Sequence, residues 1–295
     1  MMPLPGRFLT SVLVRREGDL FLFDSGEGTQ VSMKMLNLRW KKISAIFISH
    51  MHADHVTGLP GILMLSSQVD RTDPLYIIGP SKLKDYIEAS RRILDMYINY
   101  EICFIPAEPG VVFSGDGFTV QAFPLIHTKP CFGYSLVEEK RKGEFYPDKA
   151  AELGVPKGRL WGVLQSGSPV TLDDGRVITS DMVMRNAREG RKLSYVTDTM
   201  YFEHIADYAH DSDILFCEGM FEKALADTAK EKKHMTSYEA GLVARDSSSR
   251  KLCLQHYSPR YSDRELRILE RDAKEVFPET VLTRDRMSFD IPLKD

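Results

Sequence analysis

Cysteine is scarce in this chain: Cys103, Cys131, Cys217 and Cys253 lie far apart, and no CxxC pair occurs. That excludes a disulfide-dense scaffold and predicts reduced, mostly buried thiols in a cytoplasmic protein. No apolar run reaches membrane-spanning length, and no charged, apolar, small-residue leader is read at the N-terminus, so neither a membrane partner nor secretion is expected. Charge of one sign is missing too. The formal net charge of -3 excludes a protein coated in basic surface for nonspecific nucleic-acid binding. It leaves room for a local basic patch or a projecting arm. There are no internal repeats, low-complexity tracts or polar linkers. What remains is ordinary globular composition, 43% hydrophobic and 27% charged over 295 residues, long enough to bury a substantial core.

The apolar pattern alternates strands with helices. Phe8 to Phe23 reads as two strands joined by a turn using Gly18 and Asp19, and Gly28 to Leu38 as a helix with Val31, Met35 and Leu38 on one stripe. "KISAIFISH" reads as a buried strand ending at His50. "PLYIIG", a helix over Lys82 to Tyr97 and "ICFIP" continue the alternation, and a hairpin is expected around Gly115–Asp116–Gly117. Later strands fall at "KLSYVTD", "ILFCE" and "KLCLQH". Helices are expected at Thr199 to His210, Ser237 to Asp246 and Ser262 to Val276, the last opened by a Ser262/Glu265 capping box. The pattern implies mixed sheets covered by helices on their outer faces. Glu138 to Met182 stands apart, rich in glycine and charge. It is an excursion from the core, either a substrate-contacting arm or a surface loop with a small hairpin.

The strongest chemical signal is "SHMHADH", Ser49 to His55. His50, His52, Asp54 and His55 put three imidazoles and a carboxylate within six residues. Such donors suit zinc, and also manganese, iron or cobalt. Packing them together without a cation would require many partners for crowded polar groups. His127, Asp198 and His256 each terminate an apolar, strand-like run. Strand ends can converge on one rim of a sheet, although spacing alone leaves each of them open to a plain capping or edge role. Two adjacent ions would account for so many ligands, and such a pair suits phosphodiester hydrolysis.

Together, "FDSGEGTQ" at 23–30, "HMHADH" at 50–55, the following "GLPG" and "HYSPRY" at 256–261 resemble the ribonuclease Z family, tRNA 3′-processing endonucleases of the metallo-β-lactamase superfamily. The resemblance spans nearly the whole chain. It implies an α/β fold, the four-layer αββα metallo-β-lactamase sandwich, as one domain over 1–295 with an inserted substrate-contacting arm at about 138–182. It implies His50, His52 and His127 as ligands of one zinc, Asp54, His55 and His256 as ligands of the other, and Asp198 as the bridge. Manganese is an expected substitute. Asp54 is also implied as a catalytic group holding or deprotonating the attacking water. Glu218 and His234 correspond to a pair implicated in proton transfer at the leaving group, within "CEGMF" and "KHMTS". Arg260, Lys140, Arg141, Lys142, Lys149, Lys157 and Arg159 are candidate phosphate or RNA contacts.

Departures from the family pattern carry their own expectations. Ala53 stands where glycine is common, which would be awkward if the backbone needed positive φ there. "PKGR" replaces a proline-rich segment of the arm. The family begins with a strand and turn ahead of the segment matching Met2–Pro3–Leu4–Pro5. Either the sandwich lacks that first strand or the chain starts at a downstream methionine; a missing strand would mean reduced stability, a rearranged edge or a substitute cover. The implied function is removal of the 3′ trailer from precursor tRNA, leaving a tRNA 3′-hydroxyl and a 5′-phosphorylated trailer, by a cytoplasmic homodimer acting on tRNA and not DNA. The rivals are a small-molecule phosphodiesterase or esterase of the same superfamily, and a noncatalytic RNA-binding or structural homologue.

Overall fold

A computed structural model describes residues 3–294. The chain forms two compact units, one made of Met1–Val137 and Lys192–Ile291, the other of Glu138–Arg191 and Pro292–Asp295.

Two sheets build the first unit. One contains β1 (Val12–Arg16), β2 (Asp19–Phe23), β3 (Ile43–Phe47), β4 (Leu75–Gly79) and β5 (Ile102–Pro106), in that order. β1 and β2 form a hairpin whose two turn residues are Glu17 and Gly18, both at positive φ, so the turn sits one residue earlier than expected. β2 to β5 run parallel. The other sheet contains β6 (Gly110–Gly115), β7 (Phe118–Leu125) and β8 (Cys131–Glu138). After β9 (Val170–Thr171) and β10 (Val177–Ile178), which belong to the second unit, it resumes with β11 (Lys192–Val196), β12 (Ile214–Glu218), β13 (Leu252–Gln255) and β14 (Thr280–Leu282). Its spatial order is β14-β13-β12-β11-β8-β7-β6, with β11 to β14 parallel and β8 antiparallel to β11.

The period-two pattern of the strands creates the layers. Phe21, Phe23, Ala45 and Phe47 pack with Phe118, Val120, Tyr134 and Tyr195, filling the space between the sheets. The alternate residues Leu20, Leu22, Ile46 and Ile48 face Met33, Leu59, Ile62, Leu83 and Ile87, on helices Thr29–Met35, Leu59–Gln68 and Lys82–Ile93. On the far side, Leu215, Cys217, Leu252 and Leu254 pack against helices Ser237–Asp246 and Leu266–Lys274. The result is helix, sheet, sheet, helix. Cys131, Cys217 and Cys253 are buried free thiols, and Cys103 is a half-buried one.

Several helices are shorter than the sequence pattern suggests. The expected Lys82–Tyr97 helix stops at Ile93, and Asp95 follows at φ 47. The expected Thr199–His210 helix shrinks to Ile205–Tyr208, because the Thr199 N–H donates to Glu218 and the Met200 N–H to the Ile126 carbonyl. The Ser262 box is half formed. Glu265 accepts from the Ser262 N–H at 2.8 Å, but Ser262 Oγ donates to the same carboxylate, and regular helix starts only at Leu266. A full capping box occurs instead at Thr236 and Glu239. The first-strand question concerns the start of the chain, where Met1 and Met2 lie outside the described residues. Among the described residues, β1 is one edge of its sheet.

The second unit has its own small core of Ala150, Val155, Leu164, Val170, Ile178 and Val183, drawn from three short helices, the connection after the first of them and the β9–β10 hairpin. It runs past residue 182 to Arg191. Phe145 bridges Met184, Arg141 bridges Arg188, and the Arg191 guanidinium donates twice to Glu138 at 2.7 and 2.6 Å.

Candidate metal centre

The site lies within the first unit, on loops and strand ends. His50 follows β3, and Ala53–Val56 form a single helical turn that presents Asp54 and His55. Ala53 is the first residue of that turn and does not have positive φ, so the feared strain does not arise. The turn is pressed onto the segment after β2: Gly58 N–H donates to Ser25 at 2.8 Å, and a Cβ at Gly58 would meet the Gly26 carbonyl oxygen at 2.3 Å. His127 follows β7, Asp198 follows β11 and His256 follows β13, with His256 at φ 56.

Three donor groups result. His50, His52, His127 and Asp198 form one set, Asp54, His55 and His256 a second, and Asp198, His234 and His256 a third that overlaps both; within each, one donor atom per residue lies within 4.8 Å of the rest. His50 Nε2 is 2.9 Å and His127 Nε2 3.2 Å from His52 Nδ1. His55 Nε2 and His256 Nε2 are 3.2 Å apart, and Asp54 Oδ2 is 3.3 Å from the latter. Asp198 faces both sets with different oxygens. Oδ2 lies 3.6 and 3.7 Å from His50 and His127, while Oδ1 lies 3.3 and 3.2 Å from His55 and His256.

The outward ring nitrogens explain why this arrangement suits cations. His127 Nδ1 donates to the Lys233 carbonyl at 2.8 Å, and His55 Nδ1 to Asp24 at 2.7 Å. His50 Nδ1 lies 3.0 Å from Ser49 Oγ. A neutral imidazole that donates through one nitrogen presents a lone pair on the other. The inward nitrogens therefore aim lone pairs at one another at contact distance, an arrangement that a cation relieves. Burial holds His50 and His127 in the neutral form, lowering their pKa values to about 2 and about 4. Burial works against a charge on His55 as well, but Asp198 and Asp24 outweigh it and raise its pKa, so this corner demands positive charge. Burial likewise opposes ionisation of Asp54, and contact with His256 and His55 overcomes it, holding the carboxyl well below the usual range. Imidazole and carboxylate donors in this geometry fit two divalent ions.

Next to the second set stands His234. Its Nδ1 is 2.9 Å from Glu218 Oε2, and its ring stacks on His256 with centroids 5.7 Å apart. Glu218 is fully buried at the end of β12 and also accepts the Thr199 N–H at 2.5 Å. Burial works against a charged His234, yet the Glu218 carboxylate overrides it and lifts the pKa to about 9. Burial pushes Glu218 up as well. One proton serves the pair, and with Thr199 already donating to the carboxylate it resides on His234.

The remaining candidates are more dispersed. Arg260 is exposed, its guanidinium 5.0 Å above the Phe221 ring. In the second unit, Lys140 pairs with Glu189 at 2.6 Å, Arg141 donates to the Lys294 carbonyl, and Lys149 lies 4.7 Å from the Tyr146 ring centre. Lys142, Lys157 and Arg159 are exposed. Sequence reasoning missed Asp24, Ser49 and Tyr195, which lie behind the histidines, and the Lys233 carbonyl. Only the position of Asp24 at the end of an apolar strand hinted at a role.

Known proteins resemble this chain along its whole length. The ribonuclease Z of Treponema denticola is 58% identical over 296 residues, spanning 100% of this chain and 96% of the relative. This chain belongs to the ribonuclease Z family. The ribonuclease Z of Methanosarcina acetivorans is 38% identical over 99% of this chain and 95% of its own length. Crystalline human tRNase Z, short form, superposes with a TM-score of 0.70 at 26% identity, covering 99% of this chain and 95% of that one. The metallo-β-lactamase fold protein YhfI of Bacillus subtilis shares the fold at a TM-score of 0.64 and 19% identity, covering 96% of this chain and 92% of its own. A family model described as anti-Pycsar protein Apyc1 matches residues 5–141. The chain is thus a metal-dependent hydrolase of the metallo-β-lactamase fold, and its His/Asp clusters are suited to divalent metal.

Proposed function

We propose that this protein removes the 3′ trailer from precursor tRNA, using two divalent ions, zinc by preference, and acting as a cytoplasmic homodimer. The observation that carries the reading is the single carboxylate Asp198 standing between two histidine sets, with the His234–Glu218 pair alongside, in a chain of the ribonuclease Z family. His50, His52 and His127 would hold one ion, Asp54, His55 and His256 the other, and Asp198 both. Bound there, the ions supply positive charge to the phosphodiester and acidify water.

The chain's own groups then divide the proton traffic. Asp54, held below the ordinary carboxylate range, is a weak base and is better suited to orienting the attacking water than to storing its proton. His234 carries a proton at neutral pH and delivers it to the departing 3′-oxygen, with Glu218 fixing the ring. The water oxygen bonds to phosphorus and releases its proton to solvent as the P–O3′ bond breaks, which leaves a 3′-hydroxyl on the tRNA and a 5′-phosphate on the trailer. Basic residues of 138–191 would grip tRNA, and Arg260 would meet phosphate.

The deciding experiment pairs metal quantification with cleavage of a defined trailer-bearing tRNA and analysis of the product ends. About two ions per chain and a 3′-hydroxyl tRNA are expected. Hydrolysis of bis-p-nitrophenyl phosphate with the tRNA left intact would replace this reading by that of a small-molecule phosphodiesterase.

A further inference from the structure

Two lysines reach the rim of the metal centre without meeting an acid. Lys129 lies on the connection 126–130 between β7 and β8. That connection is firmly seated. The Ile126 N–H donates to Thr199 Oγ1, the Met200 N–H to the Ile126 carbonyl and the Phe132 N–H to the Ser49 carbonyl, each at 3.0 Å. Pro130 disfavours helical backbone at Lys129. Thr128 Oγ1 lies 3.3 Å from His52 Nε2, and Lys129 Nζ donates to the Met51 carbonyl at 3.4 Å, so the connection rests on the His50–His55 segment. Lys233 arrives from another flank, after helix Ala226–Glu231 and at φ 54. Its carbonyl accepts His127 Nδ1, and its Nζ donates to the His127 carbonyl at 3.4 Å.

Both side chains are exposed, and neither forms an ion pair among the described residues. Their bonds to carbonyls are long and therefore weak. An ammonium so held exchanges a carbonyl for a phosphate readily, because the new bond is charge-assisted on both sides. Position separates the two lysines. His234 marks the side of the departing 3′-oxygen; its ring neighbours are His127, His256 and Phe221, and Lys233 directly precedes it. Lys129 stands instead on the outer edge of His52, which turns Nδ1 to His50 and His127 and Nε2 to Thr128. A phosphodiester strand with one phosphate at the ions has a neighbouring phosphate on either side. If its 3′-oxygen leaves toward His234, the tRNA portion lies on the Lys233 flank and the trailer on the Lys129 flank.

We propose that Lys129 binds the trailer, taking the phosphate that joins its first and second nucleotides. This rests on the trailer-removing reading given above. The contact meets backbone charge and reads no base, so it favours any trailer of two or more nucleotides whatever its sequence.

The test compares kcat/KM for one tRNA carrying either a short trailer of a single nucleotide, which lacks that phosphate, or a longer trailer that has it. The ratio of long to short is expected to fall about tenfold in Lys129→Ala and to be largely restored in Lys129→Arg. Replacing the phosphate in question by a neutral methylphosphonate should cost the wild type a similar factor and cost Lys129→Ala little more, because both changes remove the same contact. Lys233→Ala should leave the ratio as it is. An unchanged ratio in Lys129→Ala overturns the proposal, as does a methylphosphonate loss that simply multiplies with that of the variant. An equal fall in Lys233→Ala overturns it too, since charge near the centre would then decide and not Lys129. Metal content of Lys129→Ala should match the wild type, and a loss of metal would make the lysine a support of the His52 turn instead. A wild type that leaves trailers of both lengths uncut sinks the trailer-removing reading itself; one that cuts both while the ratio stays fixed in Lys129→Ala sinks only the role of Lys129.

Discussion

His55 and His256 face each other nitrogen to nitrogen at 3.2 Å, although 201 residues separate them in the chain. Asp198 Oδ1 lies against both, and His256 Nδ1 is buried with no hydrogen-bond partner among the described residues. This corner is better satisfied with a cation than without one. Chelation should therefore lower the melting temperature, and added zinc should restore it. At free metal about a hundredfold above Kd the linkage is worth about 2.7 kcal/mol per ion, which corresponds to a shift on the order of 5 °C or more. Calorimetry with and without chelator measures it, and identical transitions would count against metal binding at this corner.

Asp54 sits where it contacts His256 and can hold water. Asp54→Ala should reduce turnover of precursor tRNA by at least about 100-fold, with the fold retained by circular dichroism. Unchanged turnover at saturating metal would remove Asp54 from the chemistry.

His234 and Glu218 make a different prediction. His234→Ala and Glu218→Gln should each slow cleavage about 100-fold or more, mainly in kcat. A substrate with sulfur in place of the leaving 3′-oxygen departs without protonation. On that substrate His234→Ala should approach the wild-type rate. The same deficit on both substrates would mean that His234 supports the site rather than donating a proton.

Replacing Lys157 and Arg159 by alanine should weaken processing of tRNA several-fold and flatten its salt dependence, because each phosphate contact contributes to the slope. Hydrolysis of a small phosphodiester should be unaffected. Equal losses on both substrates would argue against a gripping role for residues 138–191.

Gly58→Ala tests the seat of the histidine turn. The new Cβ would fall 2.3 Å from the Gly26 carbonyl oxygen and 2.9 Å from that of Ser25, both backbone atoms with little freedom to yield. Thermal unfolding should show a loss of about 1–3 kcal/mol.

How much of this was legible in the sequence follows from the range of each interaction. His50, His52, Asp54 and His55 sit within one turn, so their cluster was readable locally. His127, Asp198 and His256 stood out because each ends an apolar strand, but their meeting depends on the pairing of β11 with β12 and of β12 with β13. The helix expected at Thr199 failed because its N–H is held by Glu218, a contact 19 residues away that no local periodicity reports. The end of an apolar strand hinted at Asp24, but its partners were illegible for the same reason: Ser49, His55 and Tyr195 lie 25, 31 and 171 residues along. The half-formed Ser262 box shows the opposite failure, in which a good local motif held only one of its two bonds.

Val137 and Lys192 are direct partners across the β8–β11 ladder, and the 54 residues of 138–191 leave and return between them. With their own apolar centre, those residues form a cassette hung on two adjacent strand ends. Evolution can lengthen, trim or exchange it without rebuilding either sheet or moving a single histidine, and a two-residue hairpin could close the gap it leaves. On the proposed gripping role of residues 138–191, substrate choice and bond cleavage can then drift independently in one polypeptide.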